Sequence, residues 1–296
     1  MSVLSKNATP AAAVRRPPLE INYRLRHYLI RIVNYAILIW LAIVTGFPLF
    51  WMLITSVKER REVFGTFLPS TIDFSNYARV WTGLNLSHHL LNSLFVTGLT
   101  VTIMVITVTL AAYAFARLEF PGRDLIFYIF LAAIMIPGHA ILIPMFTFLK
   151  RIDLLNTLPG LSFSFLGGSI PFAIILMRAF FKTLPSELGD AGRIDGCSEL
   201  GVFRYIYLPL ARPGVATILI FQFVGTWNEF LFSTTFISDP DLKTIQPAVY
   251  QAVGRYSTDY AALSAGLVLA LIPIVAMYLL MQRQFIKGLT AGALQG

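Results

Sequence analysis

Six long apolar runs constrain this chain more tightly than anything else in it. They cover residues 33–54, 91–115, 125–149, 158–180, 214–237 and 262–281. Each reaches the roughly 20 apolar residues that a helix needs to cross a bilayer. Hydrocarbon offers the backbone no hydrogen-bonding partner, so runs of this kind must be helical. The expected fold is an all-α integral membrane protein of six transmembrane helices. Composition agrees, with 56% hydrophobic and 13% charged residues over 296 and a mean hydropathy of +0.71. Soluble domains carry about 25% charged residues.

The third run is interrupted by Pro137-Gly138 and Pro144, the fourth holds Gly167-Gly168 and Pro171, and the sixth holds Pro273. Proline in a membrane helix frees a carbonyl that neighbouring helices can satisfy. These positions read either as bends around a pathway or as ordinary packing irregularity.

Lysine and arginine set the orientation. With the N-terminus inside, 15 of the 23 basic residues fall on inside segments and 8 on outside ones. The bias predicts an N-in, C-in topology, which an even number of spans also requires. The net charge of +8 then marks inner loops, and no nucleic-acid partner is implied. Residues 1–30 form a cytoplasmic segment whose first part, rich in Ala, Pro and Arg, is expected to be disordered. The first apolar run is too long for a signal peptide. Cys197 is the single cysteine, so no internal disulfide can form.

The longest inside loop, 182–212, carries Glu187, Asp190, Asp195 and Glu199, four of the chain's 15 acids. Pro185-Ser186 suits a helix start, Gly196 a left-handed stop, and Ser198 a second cap. Two short helices are expected, joined at Asp195-Gly196. The first carries Gly189, Ala191 and Gly192 beside its acids. Small residues admit a close neighbour, which is either a docked soluble partner or the protein's own bundle.

Glu229 is the one acid inside an apolar run. An ionisable group at membrane depth usually faces a cavity or a partner helix. Gln222, Thr226, Glu229 and Ser233 recur at steps of four, three and four, which predicts one polar stripe on the fifth helix. Trp227, Asn228 and Glu229 together offer the aromatic, amide and carboxylate groups that suit a sugar. The stripe reads as a solute pathway or as a hydrogen-bonded seam between helices. His88-His89 lacks the further ligands of a metal site, and His139 reads as a packing residue. No G-x-x-x-x-G-K-[ST] phosphate loop is present, so ATP hydrolysis is not expected of this chain. No nucleophile and base stand out for an intramembrane enzyme. An ion-coupled secondary transporter would be expected to show inverted repeats, and none is visible.

The loop sequence ELGDAGRIDG resembles the E-A-A-x-x-x-G loop of type I ABC importer permeases. Asp190, Ala191 and Gly192 stand where Glu-Ala-Ala is usual, and Asp195-Gly196 follows at the family spacing. YAFARLEFPGR, IMIPGHAILIPMF, TWNEF and the ending FIKGLTAGALQG resemble the carbohydrate-uptake subfamily, the group of the smaller maltose permease subunit. The resemblance implies a domain over 90–283, preceded by a first helix and outer loop over 31–89. It also implies a coupling helix with Glu187, Asp190, Ala191, Gly192, Asp195 and Gly196 seated on an ATPase. A tail over 284–296 would touch that ATPase through Gly288, Thr290 and Gly292. The implied partners are a second, different permease subunit, two ATP-binding subunits that use ATP and magnesium, and an extracytoplasmic solute-binding protein. The implied location is the inner membrane of a bacterium or archaeon. The implied cargo is a sugar, or a sugar-like polyol or glycerol-phosphate compound. This chain itself would bind no cofactor.

Overall fold

The computed structural model describes residues 21–252 and 258–293, with side chains described over 25–252 and 258–282. It divides into two compact units, residues 1–51 and 52–296. Helix α1 (Ile21–Ser56) begins in the first unit and stays unbroken through Pro48. Among its described residues the second unit's regular elements are helices joined by loops. It holds α2 (Ser75–Gly83), α3 (Leu86–Arg117), α4 (Arg123–Ile134), α5 (Leu142–Arg151), α6 (Leu158–Thr183) and α7 (Glu187–Ile194). After these come α8 (Glu199–Leu210), α9 (Arg212–Trp227), α10 (Leu231–Phe236), α11 (Ile245–Tyr250) and α12 (Tyr260–Ala293).

Among the described residues, α1, α3, α6 and α12 are each long and apolar enough to cross a bilayer, and two bent pairs raise the number to as many as six. The third run divides at Pro137, while Pro144 lies inside α5. Helices α4 and α5 meet at 94° across Pro137 and a short 3-10 turn over Gly138–Ile141. Proline has no N–H to give and its ring clashes with the preceding turn.

The fifth run differs from the single helix expected over 214–237. Helix α9 ends at Trp227 and the chain becomes helical again only at Leu231. Neither glycine nor proline stands at the break. Instead the Glu229 carboxylate accepts the N–H of Phe232 at 2.9 and 3.1 Å and that of Ser233 at 3.2 Å. Those donors sit in the first turn of α10, where a helix has no carbonyls of its own to offer.

Helix α3 packs along α6 and α9, and α9 packs along α12. Hydroxyls tie the first pair across the apolar interface. Thr100 donates to the Ser162 carbonyl at 3.2 Å, and Ser162 donates to the Val96 carbonyl at 3.4 Å. One core, built on Met104, Val108, Met177, Phe181, Val202 and Tyr207, lies at the end of the bundle that carries α7 and α8. A second gathers Val80, Leu86, Trp227, Val249 and Ala265, and a third Val96, Leu149, Leu161 and Phe236.

Side-chain to backbone bonds hold the loops at the opposite end. Asn156 accepts the N–H groups of Ser238 and Asp239 through Oδ1, both at 2.9 Å. Asn92 donates to the Asp241 carbonyl at 2.7 Å, and Ser93 Oγ accepts the N–H of Ile245 at 2.7 Å. A His89 ring nitrogen lies 2.9 Å from the Lys243 carbonyl, so this residue serves loop attachment.

Candidate functional site

Two places concentrate polar chemistry. The first is the loop of α7 and α8. Helix α7 stops at Asp195, Gly196 takes a φ of +86°, and the Ser198 hydroxyl accepts the N–H of Gly201 at 3.2 Å. Glycine is the residue that enters this left-handed conformation without steric cost. Gly196 and Ser198 thus act as expected, while Ser186 stands before α7 without a side-chain cap bond.

The small face of α7 turns inward. Gly189 and Gly192 are buried, whereas Glu187, Asp190, Ala191, Asp195 and Gly196 are exposed. A Cβ on Gly192 would stand 2.4 Å from Ile206 Cδ1, and one on Gly189 would stand 2.8 Å from the Tyr207 hydroxyl. The glycines therefore admit α8 of the same chain. The open face carries Leu188 and Ile194, the latter 86% exposed, beside the acids. Sequence reading passed over both, because an apolar residue in a short amphipathic helix reads as inward-facing.

Polar contacts fasten this loop to the bundle. Arg193 donates to Asp190 at 2.8 Å and to the Glu199 carboxylate at 2.6 and 3.2 Å. Glu199 also accepts the Tyr113 hydroxyl of α3 at 3.2 Å. The hydrogen bonds from Arg193 hold the Glu199 carboxyl below the usual carboxylate range, and the same bonds raise the Arg193 guanidinium. Arg117 donates to the carbonyls of Phe181 and Leu184 and lies over the Tyr207 ring at 4.8 Å. Within the bundle itself, Arg178 of α6 donates to the Phe115 carbonyl of α3 at 3.1 Å and covers the Phe127 ring of α4 at 3.9 Å. Arg193, Glu199 and Tyr113 were not foreseen as a group. Their residue types gave a signal only once the fold brought α3 beside α8.

The second place is a cavity of about 470 Å³ between α3, α6, α9 and the broken segments at 138–141 and 229–232. Gln222, Thr226 and Glu229 line it together, with Ser164, Ser169 and His139 as further polar groups. Phe165, Phe172, Phe221 and Phe232 supply its aromatic walls. Gln222 donates to the Thr226 hydroxyl at 2.8 Å. His139 is exposed and faces this cavity, 6.2 Å from the Phe232 ring, so the expectation of a packing histidine is corrected. Its place in the 3-10 turn after Pro137 puts it at the break in the third run.

Ser233 of the expected stripe, and Trp227 and Asn228 beside Glu229, point elsewhere. Trp227 is buried, stacks on Phe223 with centroids 5.6 Å apart, and donates to the Ala270 carbonyl of α12 at 3.0 Å. Asn228 caps α9, donating to the Val224 carbonyl at 3.0 Å and accepting from Gln246 at 3.4 Å. Ser233 is buried against Thr244, with hydroxyls 2.7 Å apart. Gly288, Thr290 and Gly292 belong to the helical backbone of α12, and their side-chain surroundings lie outside the described residues.

Comparison with known proteins gives these features a context. The family model described as binding-protein-dependent transport system inner membrane component matches residues 108–290. A diacetylchitobiose uptake system permease of Streptomyces coelicolor is 34% identical over 264 residues, covering 88% of this chain and 87% of its own length. A trehalose transport system permease of Mycobacterium tuberculosis is 33% identical over 268 residues, covering 90% and 94%. A chain from the crystal structure of a bacterial ABC transporter that imports the acidic polysaccharide alginate shares the fold. Its TM-score is 0.78 at 24% identity, over 87% of this chain and 97% of that one. The chain thus has the type I ABC importer permease fold and belongs to the binding-protein-dependent transport system inner membrane component family.

Proposed function

We propose that this chain forms half of a sugar translocation pathway across the cytoplasmic membrane, driven by ATP hydrolysis in partner subunits. One observation carries the sugar reading. Relatives about one-third identical over nearly the whole chain are permeases named for diacetylchitobiose, trehalose and arabinooligosaccharides. The cavity at Gln222, Thr226 and Glu229 suits such a solute, since carboxylate, amide and hydroxyl groups meet sugar hydroxyls while phenylalanines meet the apolar ring face.

In this reading the chain spans the membrane six times, once for each apolar run, with both ends inside. The open face of α7, with Asp190 and Ala191, is the seat of a coupling helix on a nucleotide-binding subunit. A second, different permease closes the other half of the pathway, two ATPase subunits use ATP and magnesium, and a solute-binding protein delivers the cargo outside. A relative named for sulfoquinovosyl glycerol, 32% identical over 253 residues, favours including glycerol-linked solutes as a second reading.

The test is reconstitution of the chain with its co-purifying partners. An ATPase should co-purify, and its activity should rise with one class of sugar or glycerol-linked solute across a screen. Uptake that continues without ATP would replace this reading with an ion-coupled transporter.

A further inference from the structure

We infer that the groove where α8 turns into α9 is a binding site for an anionic phospholipid. Helices α8 and α9 meet at 76°, and the angle opens a cavity of about 560 Å³ closed by Val105 of α3 and Met281 of α12. Its polar lining is two arginines, Arg204 and Arg212, and no acid lines it. Both arginines are exposed, and among the described residues neither is paired with a carboxylate. Arg204 lies over the exposed Tyr205 ring at 5.8 Å, whereas Arg117 and Arg178 are committed to carbonyls as well as rings and Arg193 to acids. The rest of the groove is apolar, with Leu208 and Leu219 between the arginines and the helix ends.

A ligand that fits must carry an anion at one end and hydrocarbon beyond it. Guanidinium groups grip phosphate oxygens through paired N–H donors. A sugar or a free phosphate would leave the apolar floor unused, and a zwitterionic lipid would bring its own cation to the arginines. Basic pockets between membrane helices suit anionic headgroups for these reasons.

Local sequence builds the site. Pro209 has no N–H to give the Tyr205 carbonyl, and over Val202–Tyr207 the backbone adopts a π-helix, with the N–H of Leu208 reaching the Phe203 carbonyl. Arg204 projects from this widened turn, and Arg212 begins α9 just beyond the bend. With the orientation proposed above, the lipid belongs to the inner leaflet. The site itself does not depend on the sugar reading.

The test uses the assembled complex in phosphatidylcholine nanodiscs with a photoactivatable phosphatidylglycerol probe. Cross-links should map to residues 204–219 and be displaced by phosphatidylglycerol, not by phosphatidylcholine, inorganic phosphate or glycerol phosphate. Arg204→Gln with Arg212→Gln should weaken labelling about thirty-fold, at the usual contribution of each basic group. Arg204→Lys with Arg212→Lys, which keeps the charge and loses the paired donors, should weaken labelling less than the glutamine pair. Val215→Trp with Leu219→Trp should reduce labelling with both arginines present. The inference is overturned if labelling maps elsewhere, is absent from the assembled complex, is displaced by phosphate, or is indifferent to the arginines.

Discussion

The loop of α7 and α8 and the cavity at the end of α9 differ in how firmly they are held. In the loop Arg193 joins Asp190 to Glu199, Tyr113 reaches Glu199 from α3, and the buried Gly189 and Gly192 are packed tightly enough that single methyl groups would clash. The cavity is walled by two helical breaks, at 135–141 and 228–230, whose geometry rests on one proline and one carboxylate. A rigid loop can pass on a displacement without absorbing it. Broken helices can change their angle without tearing a continuous ladder of hydrogen bonds. The contrast fits a lever at one end and a deformable passage at the other.

Glu229 offers the sharpest way to break that contrast, because it both faces the cavity and fixes the start of α10. Glu229→Gln keeps an acceptor for the Phe232 N–H and removes the charge. Uptake per assembled complex should fall on the order of tenfold, given that hydrogen bonds to charged groups contribute about 1.5–3 kcal/mol. Assembly, read by co-purification, should hold. Normal transport kinetics in this variant would leave Glu229 a cap alone.

Arg193→Gln tests the lever. It removes the three bonds that join Asp190 and Glu199, yet exposed ion pairs add little to stability, about 0–1 kcal/mol. The melting temperature should therefore barely move. The ratio of solute transported to ATP hydrolysed should fall about fivefold, at the low end of ordinary coupling energies. Unchanged stoichiometry would show that the bridge holds only the loop's shape.

Much of this was legible in the sequence, for reasons visible at particular residues. Apolar runs gave the long helices, and Pro137-Gly138 announced the first break because proline acts locally. The second break was hidden, since Asn228 ends α9 and Glu229 starts α10 through side-chain bonds that depend on the fold. The stripe from Gln222 to Ser233 assumes a helix that in fact stops midway, so Ser233, beyond the break, turns away from the cavity, and Trp227 packs toward α12. Spacing also found the small face of α7 without identifying its neighbour. Only the fold shows Tyr207 and Ile206 occupying it.

Gly192 sharpens the loop side of the comparison at a smaller scale. Alanine there would gain about 1 kcal/mol of helix propensity. It would also press on Ile206, and overpacking costs about 1–3 kcal/mol. Gly192→Ala should destabilise the complex by about 1 kcal/mol in a thermal melt. Adding Ile206→Val removes the clashing methyl and should recover most of the loss. No recovery in the double variant would mean that the loop is not held by this contact.

The smallest effect expected is a pH dependence confined to the loop. Arg193 depresses the Glu199 carboxyl, so the charged form is favoured in the folded loop. Its contribution is then complete above the ordinary glutamate range and is lost as pH falls through the lowered folded value. Hydrogen exchange over 187–201 should stay slow at neutral pH and quicken under acid, while the cavity segment 222–233 changes less. In Arg193→Gln the Glu199 carboxyl returns toward its ordinary range. The acid onset of loop exchange should move to higher pH, and the response at 222–233 should stay where it was. An onset that does not move would separate the loop's acid sensitivity from this ion pair.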